Sequence, residues 1–516
     1  MSLAHKLWKI GSVLCEEDIK EVIQTDGSLS NGVVPSYVNL DFTIKGNQIV
    51  SLEIRPEAIS KTKMFFTKKI GGAGNGIYYL YPNLQLQLTE KNTIRDKLSL
   101  LVNTIKSSVL CFANEENRIL SQAVFDFFND NPDHKALKSL GEIKGGEYWF
   151  WISINRRTFF EMMPEIWNNW YNEPVTKLKE AGPGYDAFIN EESLVGYRPE
   201  IRIFSYDQYH DSLNFRVREN LPLSLESARN IKFAWIYILD KLVFFYKGLE
   251  YVIIPNLLFN DRKIYGTVLK RLVRANQATG SKSGQLKDLR NEEKKLKADL
   301  EKLKKKRAKQ KKNTELGVAF DRLDKEYKAV MGKIGAVDTG IITEFNEQAN
   351  HLGDLKNFVT LDFVFTAINR TNLSFEVKGS IEDVIPSRLA HLVDTMKDKQ
   401  YRIEDNTFSD MKDREKTHLK NYFNRDELYF VVNKSYLKNK NRILQERLHL
   451  ARLLLTDEKI AMEDLLQRFE FHREYDYGHK KRINNGVKDW INYPETYTFH
   501  EKKMIDFLNV INKIKE

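Results

Sequence analysis

The chain has 516 residues, of which 42% are hydrophobic and 12% aromatic, so it can bury a large core and is not a disordered sequence. This length predicts about two to four domains, and 81 Lys and Arg against 71 Asp and Glu leave a net charge of +10 that favours a polyanionic partner. The only cysteines are Cys15 and Cys111, which excludes a disulfide framework or a cysteine-based zinc site and favours a reducing, cytoplasmic location.

The most apolar stretch of the chain, residues 231–259, is interrupted by Asp240, Lys241, Lys247 and Glu250. A membrane-spanning helix needs about 20 nearly uninterrupted apolar residues. The N-terminal residues also carry charges within their apolar pattern and do not resemble a signal peptide. We therefore predict a soluble protein with no membrane partner.

The first half of the chain alternates between helix and strand patterns, which predicts an α+β body over residues 1–284. In chain order, the patterns are an amphipathic helix at 7–19, two strands at 39–56 turning at Gly46 and Asn47, a strand at 77–82, a helix at 92–128, and strands at 145–157 and 198–220.

The composition changes at residue 285, where leucines recur at heptad spacing within a lysine-rich segment. A second apolar series follows it in steps of four and three residues. We predict two antiparallel helices over residues 285–334, turning near Asn313 and burying the two series against each other. The first series is Leu286, Leu289, Leu296, Leu300 and Leu303, and the second is Leu316, Phe320, Leu323, Tyr327, Val330 and Ile334.

This predicted hairpin holds most of the excess positive charge. Between Gln285 and Lys312, 13 Lys and Arg outnumber 5 Asp and Glu, which gives +8. A lysine run of this kind is either a solvated helix face or an arm that follows phosphates. For the second alternative, the candidate contacts are Lys304, Lys305, Lys306 and Arg307.

The remaining residues return first to strand and then to helix patterns. Residues 335–386 alternate as strands that complete the α+β body, and residues 387–516 predict a C-terminal helical bundle. Pro386 marks the boundary, because proline favours a helix start and disfavours helix in the residue before it.

No standard catalytic, metal or nucleotide motif occurs in the sequence. A P-loop, G-x-G-x-x-G, H-E-x-x-H, C-x-x-C, an EF-hand loop and G-x-S-x-G are all missing. This pattern predicts no catalytic residue, no metal and no cofactor. Two alternatives stay open: a metal-dependent nuclease or other nucleic-acid enzyme using carboxylates such as Asp362 and Glu382, and a coiled-coil scaffold that binds a partner through the hairpin.

Several segments combine cations with residue types that suit nucleic acid. The glycine-rich segment "KKIGGAGNGIYYLYP" at 68–82 is either a tight turn or a loop that lies against nucleic acid, since its lysines precede its glycines and a phosphate cradle needs the reverse order. Arg216 and Arg218 share one predicted strand face, and Arg156 and Arg157 follow an aromatic strand. Core packing is the favoured role of Trp149 and Trp151 within that strand.

Three segments resemble the large subunit of type I-B CRISPR Cascade complexes. They are "LWKIGSVLCEEDIKEVI" near the start, "KMFFTKKIGGAGNGIYYLYP" around the glycine loop, and "NLSFEVKGSIEDVIPSRLAHLV" before the C-terminal bundle. The order of an α+β body and a helical bundle is also similar. Unlike many relatives, this chain has no cysteine cluster that could bind zinc.

The resemblance implies a non-catalytic subunit of an RNA-guided complex. Such a subunit reads a short protospacer-adjacent motif in double-stranded DNA, helps to start R-loop formation, and works with CRISPR RNA, other Cascade subunits and a recruited helicase-nuclease. It also implies that the C-terminal bundle resembles a small subunit, for which Met396 and Met411 are candidate internal starts.

The same resemblance suggests roles for two segments. In the glycine loop, Lys68 and Lys69 would contact phosphates, the glycines would let the backbone approach a groove, and Asn75 would touch a base edge, although a plain hairpin loop remains the alternative. Residues 273–284 predict a polar loop that either separates the first base pairs or links to the hairpin. The loop glycines are Gly71, Gly72, Gly74 and Gly76, and the candidate separating residues are Arg274, Asn276 and Gln277.

Overall fold

A computed structural model describes most of the chain. The described residues are 3–27, 34–67, 79–199, 201, 221–246, 249–257, 261–309, 315–330, 332–333, 358–369, 374–389, 391–392, 440–470 and 504–515. Helices and several sheets occur in the same chain, which confirms the predicted α+β class. The chain divides into two compact units: Met1–Val243 with Thr366–Glu376, and Phe244–Phe365 with Val377–Glu516.

The first unit is built on a five-stranded mixed sheet. Strand order is β2-β1-β4-β3, with the short β5 beside β4, and β1 and β4 run parallel while the other neighbours are antiparallel. A separate antiparallel pair is formed by β6 and β7. The strands are β1 Ser36–Lys45, β2 Gln48–Arg55, β3 Asn83–Thr93, β4 Lys144–Ile154, β5 Arg157–Thr158, β6 Thr176–Tyr185 and β7 Glu192–Arg198.

The two faces of this sheet have different compositions. Alternation along β1 puts Val38, Leu40 and Phe42 on the face that packs against the helices of this unit, and Phe150 and Ile152 of β4 join them in the main core. The opposite face carries aromatic and polar side chains. The helices of the unit are Leu3–Gly11, Glu16–Ile23, Arg95–Thr104, Leu110–Phe112, Glu115–Asp130, Lys135–Ser139, Phe159–Met162, Glu165–Asn172 and Leu225–Lys241, with a π-helical turn at Ile105–Val109.

Several predicted elements of the first unit are confirmed, and others differ in their bounds. The helix predicted over 92–128 begins only after β3 and is divided at Ala113 and Asn114. The strand pair turns at Gly46, whose φ of +59° favours glycine. The opening helix is two helices that break after Gly11. Residues 79–82, expected to be strand, precede β3 without strand pairing. Residues 202–220, which hold the expected strand of Arg216 and Arg218, lie outside the described residues.

A four-stranded sheet and a long helix make up most of the next part of the chain. The sheet order is β11-β10-β9-β8, formed by Val243–Tyr246 (β8), Leu249–Leu257 (β9), Val359–Asn369 (β10) and Ser374–Val384 (β11). The strands predicted over 335–386 are confirmed as β10 and β11. Buried Tyr265, near the start of the helix Arg262–Lys309, donates a hydrogen bond from its hydroxyl to Pro255 O at 2.6 Å, so the helix begins against β9.

The C-terminal part of the second unit packs around its own apolar cluster. Residues 440–455, 462–470 and 504–510 are helical, and a helix also begins at Pro386 as expected, but β12 and β13 form a short parallel pair that the bundle prediction lacked. The strands are Ile460–Ala461 (β12) and Ile514–Lys515 (β13). The cluster comprises Leu450, Leu453, Leu454, Ile460, Leu465, Phe469, Met504, Phe507, Leu508 and Ile511.

The carbonyl that ends the helix Lys440–Leu455 accepts hydrogen bonds from two cations. Arg388 and Lys513 both donate to Thr456 O, and Arg388 also pairs with Asp457. Burial and the neighbouring Arg388 lower the pKa of Lys513 to about 8. A product starting at Met396 or Met411 would lack Arg388.

The helix Leu3–Gly11 packs so closely on the helix Leu225–Lys241 that residue 11 has no room for a side chain. A Cβ added at Gly11 would lie 1.9 Å from the carbonyl oxygen of Asn230. We predict that Gly11→Ala lowers the stability of the first unit by about 3 kcal/mol, because one backbone must move. Hydrogen exchange of the two helices measures this loss.

Gly266 provides the matched control, because it also lies in a helix but has nothing within 4 Å of an added Cβ. Gly266→Ala should leave exchange unchanged or slow it, as alanine favours helix over glycine by up to about 1 kcal/mol. Equal protection in the Gly11→Ala protein and the wild type would contradict the close approach.

A buried carboxylate links the β6 and β7 pair to the helix Leu225–Lys241. Asp186 accepts hydrogen bonds from the backbone N–H groups of Phe188, Ile189 and Ser224 and from the Ser227 hydroxyl, at 2.6–3.2 Å. Burial alone would raise the pKa of Asp186, but these donors outweigh it and hold the pKa below the ordinary value.

Because the folded pKa of Asp186 is depressed, its stabilisation is complete above the unfolded value of about 3.9 and is lost as pH falls through the folded value. We predict that Asp186→Asn lowers stability by about 2 kcal/mol near neutral pH, and that its difference from wild type shrinks in acid. Denaturation at a series of pH values measures this. Asp133→Asn, at a carboxylate 81% exposed, is the control and should show no such trend. A pH-independent Asp186→Asn difference would refute the assignment.

Candidate nucleic-acid interface

The two chain ends that flank the glycine-rich segment are held together. Its residues 68–78 lie outside the described part of the chain, but Thr67 and Leu80 on either side are buried, and Leu80 N–H donates to Thr67 Oγ1 at 3.3 Å. Thr67 also forms an isolated bridge with Gln24. The carbonyl of Leu80 accepts from the buried Ser108 hydroxyl at 2.9 Å. The residues on either side of the glycine-rich segment are therefore buried and joined by hydrogen bonds.

The turn between β4 and β5 presents two arginines to solvent. Asn155 and Arg156 have φ values of 49° and 66°, the left-handed pair that a two-residue hairpin turn requires. Asn155, Arg156 and Arg157 are all exposed. A left-handed arginine is uncommon and needs support from its surroundings.

The Asn155 side chain supplies part of that support, because it pairs with the backbone of Ile44 as a neighbouring strand would. Its Oδ1 accepts from Ile44 N–H at 2.9 Å, and its Nδ2 donates to Ile44 O at 3.1 Å. This contact falls where a bulge between Thr43 and Ile44 shifts the register of β1 against β2. The turn is thereby joined to the end of β1.

Below the turn lies a buried polar cluster on the second face of the sheet. Asp41 Oδ1 accepts from the Ser153 hydroxyl at 2.7 Å and from Arg156 N–H at 2.9 Å, and the same hydroxyl lies 2.9 Å from Asn39 Oδ1. Arg55 Nε lies 3.1 Å from Asp41 Oδ2 without a hydrogen aimed at it, so that contact is an ion pair and not a linear hydrogen bond. The Asp41 side chain is 2% exposed. One buried carboxylate thus fixes the arginine turn.

Arg157 is tied to the segment that leads into the glycine loop. Its guanidinium donates to Glu161 O at 3.2 Å, and the Thr158 hydroxyl beside it donates to Lys63 O at 2.7 Å. Lys63 Nζ lies 3.1 Å from Glu161 Oε1. Burial alone would raise the pKa of Glu161, but the Thr158 N–H and the Lys63 ammonium hold it below the ordinary value. The arginine turn therefore lies beside the segment that precedes the glycine-rich residues.

The aromatic residues before this turn are core residues. Trp149 and Trp151 are 3% and 2% exposed and pack with Tyr37 and Phe66, with a centroid distance of 4.9 Å between Phe66 and Trp149. The preference for core packing is confirmed. Their rings therefore fix Phe66, immediately before Thr67 at the base of the loop.

Two other predicted segments lie on the long helix. Residues 273–284 are helical within Arg262–Lys309, so the prediction of a polar loop at Arg274, Asn276 and Gln277 is wrong. The small residues 278–280 contain no proline and continue a helix already anchored at Tyr265. Lys304, Lys305, Lys306 and Arg307 are exposed near its end. The Arg307 guanidinium lies over the Phe320 ring at 5.6 Å.

The residues considered for catalysis do not form one cluster. Asp362 is 3% exposed and accepts from Asp383 N–H at 3.0 Å, while Glu382 is exposed. Among the described residues no group of three or more His, Cys, Asp or Glu side chains could hold a metal ion. Cys15 and Cys111 are free, exposed thiols. Within the same residues, every helix is too short or too polar to cross a bilayer.

The structure brings only some of the predicted nucleic-acid residues close together. It brings Arg156 and Arg157 beside the base of the glycine loop and places the Lys304 to Arg307 run on the long helix. Nine candidates lie outside the described residues: Lys68, Lys69, Gly71, Gly72, Gly74, Asn75, Gly76, Arg216 and Arg218. The supporting residues Asp41, Ser153 and Asn155 were missed. Asp41 was the signal that could have revealed them, because aspartate is disfavoured in strands and here interrupts an otherwise regular strand pattern.

The sequence matches no known protein-family model and no curated protein.

We predict that Asp41→Ala lowers the stability of the first unit by about 3 kcal/mol, because it leaves the Arg156 N–H without its acceptor and Arg55 without its buried anionic partner. Chemical denaturation followed by tryptophan fluorescence measures the loss. Glu53→Ala is the matched control: Glu53 contacts the same Arg55 but is 56% exposed, so its removal should change stability by about 0.5 kcal/mol or less. Equal effects of the two substitutions would show that the buried cluster does not hold the turn.

Proposed function

We propose that the chain is the non-catalytic large subunit of an RNA-guided CRISPR Cascade complex. In this role it recognises a protospacer-adjacent motif in double-stranded DNA, promotes unwinding and R-loop formation, and helps to recruit a helicase-nuclease. The observation that carries the proposal is the exposed arginine turn, pinned by Asp41 beside the segment that precedes two lysines and four glycines. The resemblance of three sequence segments to such subunits supports the same assignment.

The geometry of the turn suits contact with a nucleic-acid backbone. A guanidinium offers several N–H donors in a planar fork that fits phosphate oxygens, and Arg156 starts from a backbone already fixed by Asp41 and Asn155. Less backbone entropy is then lost on binding. Glycines that follow a fixed base let the main chain approach a groove without a side-chain clash.

The roles of guide RNA and protein in such a complex agree with the residue types in this chain. Guide RNA pairing would read the target sequence, so the protein needs only cations for the backbone and one short reading element for the motif. The partners in this proposal are CRISPR RNA, target double-stranded DNA, the other Cascade subunits and the recruited helicase-nuclease. The cell compartment is the cytoplasm. No residue of the proposed interface needs a metal or cofactor for this role.

We predict that Arg156→Gln with Arg157→Gln weakens duplex DNA binding by about tenfold at low salt and lowers the slope of log K against log salt by about one to two. The loss of two phosphate partners is the physical reason. Binding is measured by fluorescence anisotropy on the purified chain and on the chain with its co-purified partners.

Lys177→Gln with Lys179→Gln is the matched control, because it removes the same charge from exposed positions on β6 of the same unit. DNA binding should be unchanged in this variant. If the wild-type chain fails to bind duplex DNA at low salt, alone or with partners, and co-purifies with no RNA of uniform length, the proposed function is wrong.

A further inference from the structure

The helix Arg262–Lys309 turns one face toward a second helix near its end. Leu296, Leu300 and Leu303 are partly buried, and Leu303 lines a groove together with Val318 and Leu323 of the helix at 315–330. Arg307 continues the same row, since its guanidinium covers Phe320. The spacing 296, 300, 303, 307 follows steps of four, three and four residues, as expected for an antiparallel helix pair.

The opposite face of the same helix carries three lysines in one row. At 100° per residue, positions 291, 295, 298, 302 and 305 fall on one line, again in steps of four and three, and lie opposite the apolar row. All five are exposed, and they are Asn291, Lys295, Ala298, Lys302 and Lys305. The acidic residues of this segment fall outside that line, and they are Glu292, Glu293, Asp299 and Glu301. The helix is therefore cationic along one side and not merely rich in charge.

The lysines of this row have little competition from neighbouring carboxylates. The ion pair of Lys302 with Asp299 joins two side chains that are 74% and 55% exposed, so it contributes little free energy. The row from Lys295 to Lys305 is about 15 Å long by helix rise, and Lys294 and Lys306, each about 60° from its centre, widen it. Duplex DNA carries about one charge per 1.7 Å of axis, so a row of this length faces several phosphates.

We propose that this outward face, defined by Lys295, Lys302 and Lys305, binds the sugar-phosphate backbone of nucleic acid without reading the bases. The face carries no aromatic side chain for base stacking, and its cations are lysines, whose ammonium groups contact phosphates as point charges. The choice of nucleic acid among polyanions rests on the proposed function. Arg307 takes no part in binding, because it holds the two helices together through Phe320.

The test replaces the row in the full chain with Lys295→Gln, Lys302→Gln and Lys305→Gln. We expect duplex binding to weaken about tenfold at low salt, equally for DNA duplexes of unrelated sequence, and the salt slope to fall by about two to three. The matched control is Lys325→Gln, Lys328→Gln and Lys333→Gln, which removes the same charge from exposed lysines on the other side of the helix pair. The control should bind like wild type.

The outcomes separate this inference from the proposed function. Wild-type affinity and salt slope in the Lys295, Lys302 and Lys305 variant would overturn the inference, while the effect of the Arg156 and Arg157 variant would leave the proposed function standing. An equal loss in the control variant would also overturn it, by showing a general charge effect. Loss of binding to phosphatidylserine vesicles with DNA binding intact would assign the face to a membrane instead.

Arg307 provides an independent check on the two faces. Arg307→Ala should keep DNA affinity within about twofold while lowering the helical signal and the thermal midpoint of the helix pair, since it removes a cation-π contact and no phosphate partner. A loss of DNA affinity with an unchanged helical signal would overturn the assignment of the outward face as the binding face.

Discussion

In the five-stranded sheet of the first unit, the buried carboxylate of Asp41 connects three strands and a turn. A carboxylate removed from water must be compensated by donors and cations, or its burial costs several kcal/mol. Asp41 meets this requirement by taking donors from β4 and from the turn that follows, together with the Arg55 cation from β2. Asp41 on β1 therefore contacts β4, β2 and the left-handed turn at Arg156 at the same time. The structural result is an exposed arginine turn.

The two cationic surfaces proposed for this chain have different physical designs. The arginine turn is short and rigid, and its guanidinium groups suit directed hydrogen bonds to phosphate or base edges. The lysine row is extended, and its ammonium groups sit on flexible stems that contact phosphates as point charges. The arginine turn suits recognition of a short DNA motif, and the lysine row suits binding to nucleic acid of any sequence. Both need only charge and shape, which agrees with a chain that has no recognisable catalytic motif.

The long helix shows how a single continuous element can serve two purposes. Its first turns are anchored by buried Tyr265 against β9, and burial raises the pKa of that phenol well above its ordinary value. The later turns carry an apolar row on one side and lysines on the other. The helix is continuous through residues 273–284, where a polar loop was expected. The lysine row consequently keeps a fixed direction relative to β9.

Local patterns in the sequence determined the α+β class, the β1 and β2 turn at Gly46, the late strands and the apolar rows of the helix pair, because each depends on periodicity or on a residue with restricted backbone freedom. The sequence also indicated that Trp149 and Trp151 are core residues. It could not show that residues 273–284 are helical, since their weak local preference is overridden by the anchored helix that contains them. Nor could it show that Asp41, Ser153 and Arg156 meet, because they are brought together by a parallel strand pairing across more than a hundred residues. Tertiary structure alone decided that contact, since a carboxylate becomes buried and compensated only when distant strands supply its donors.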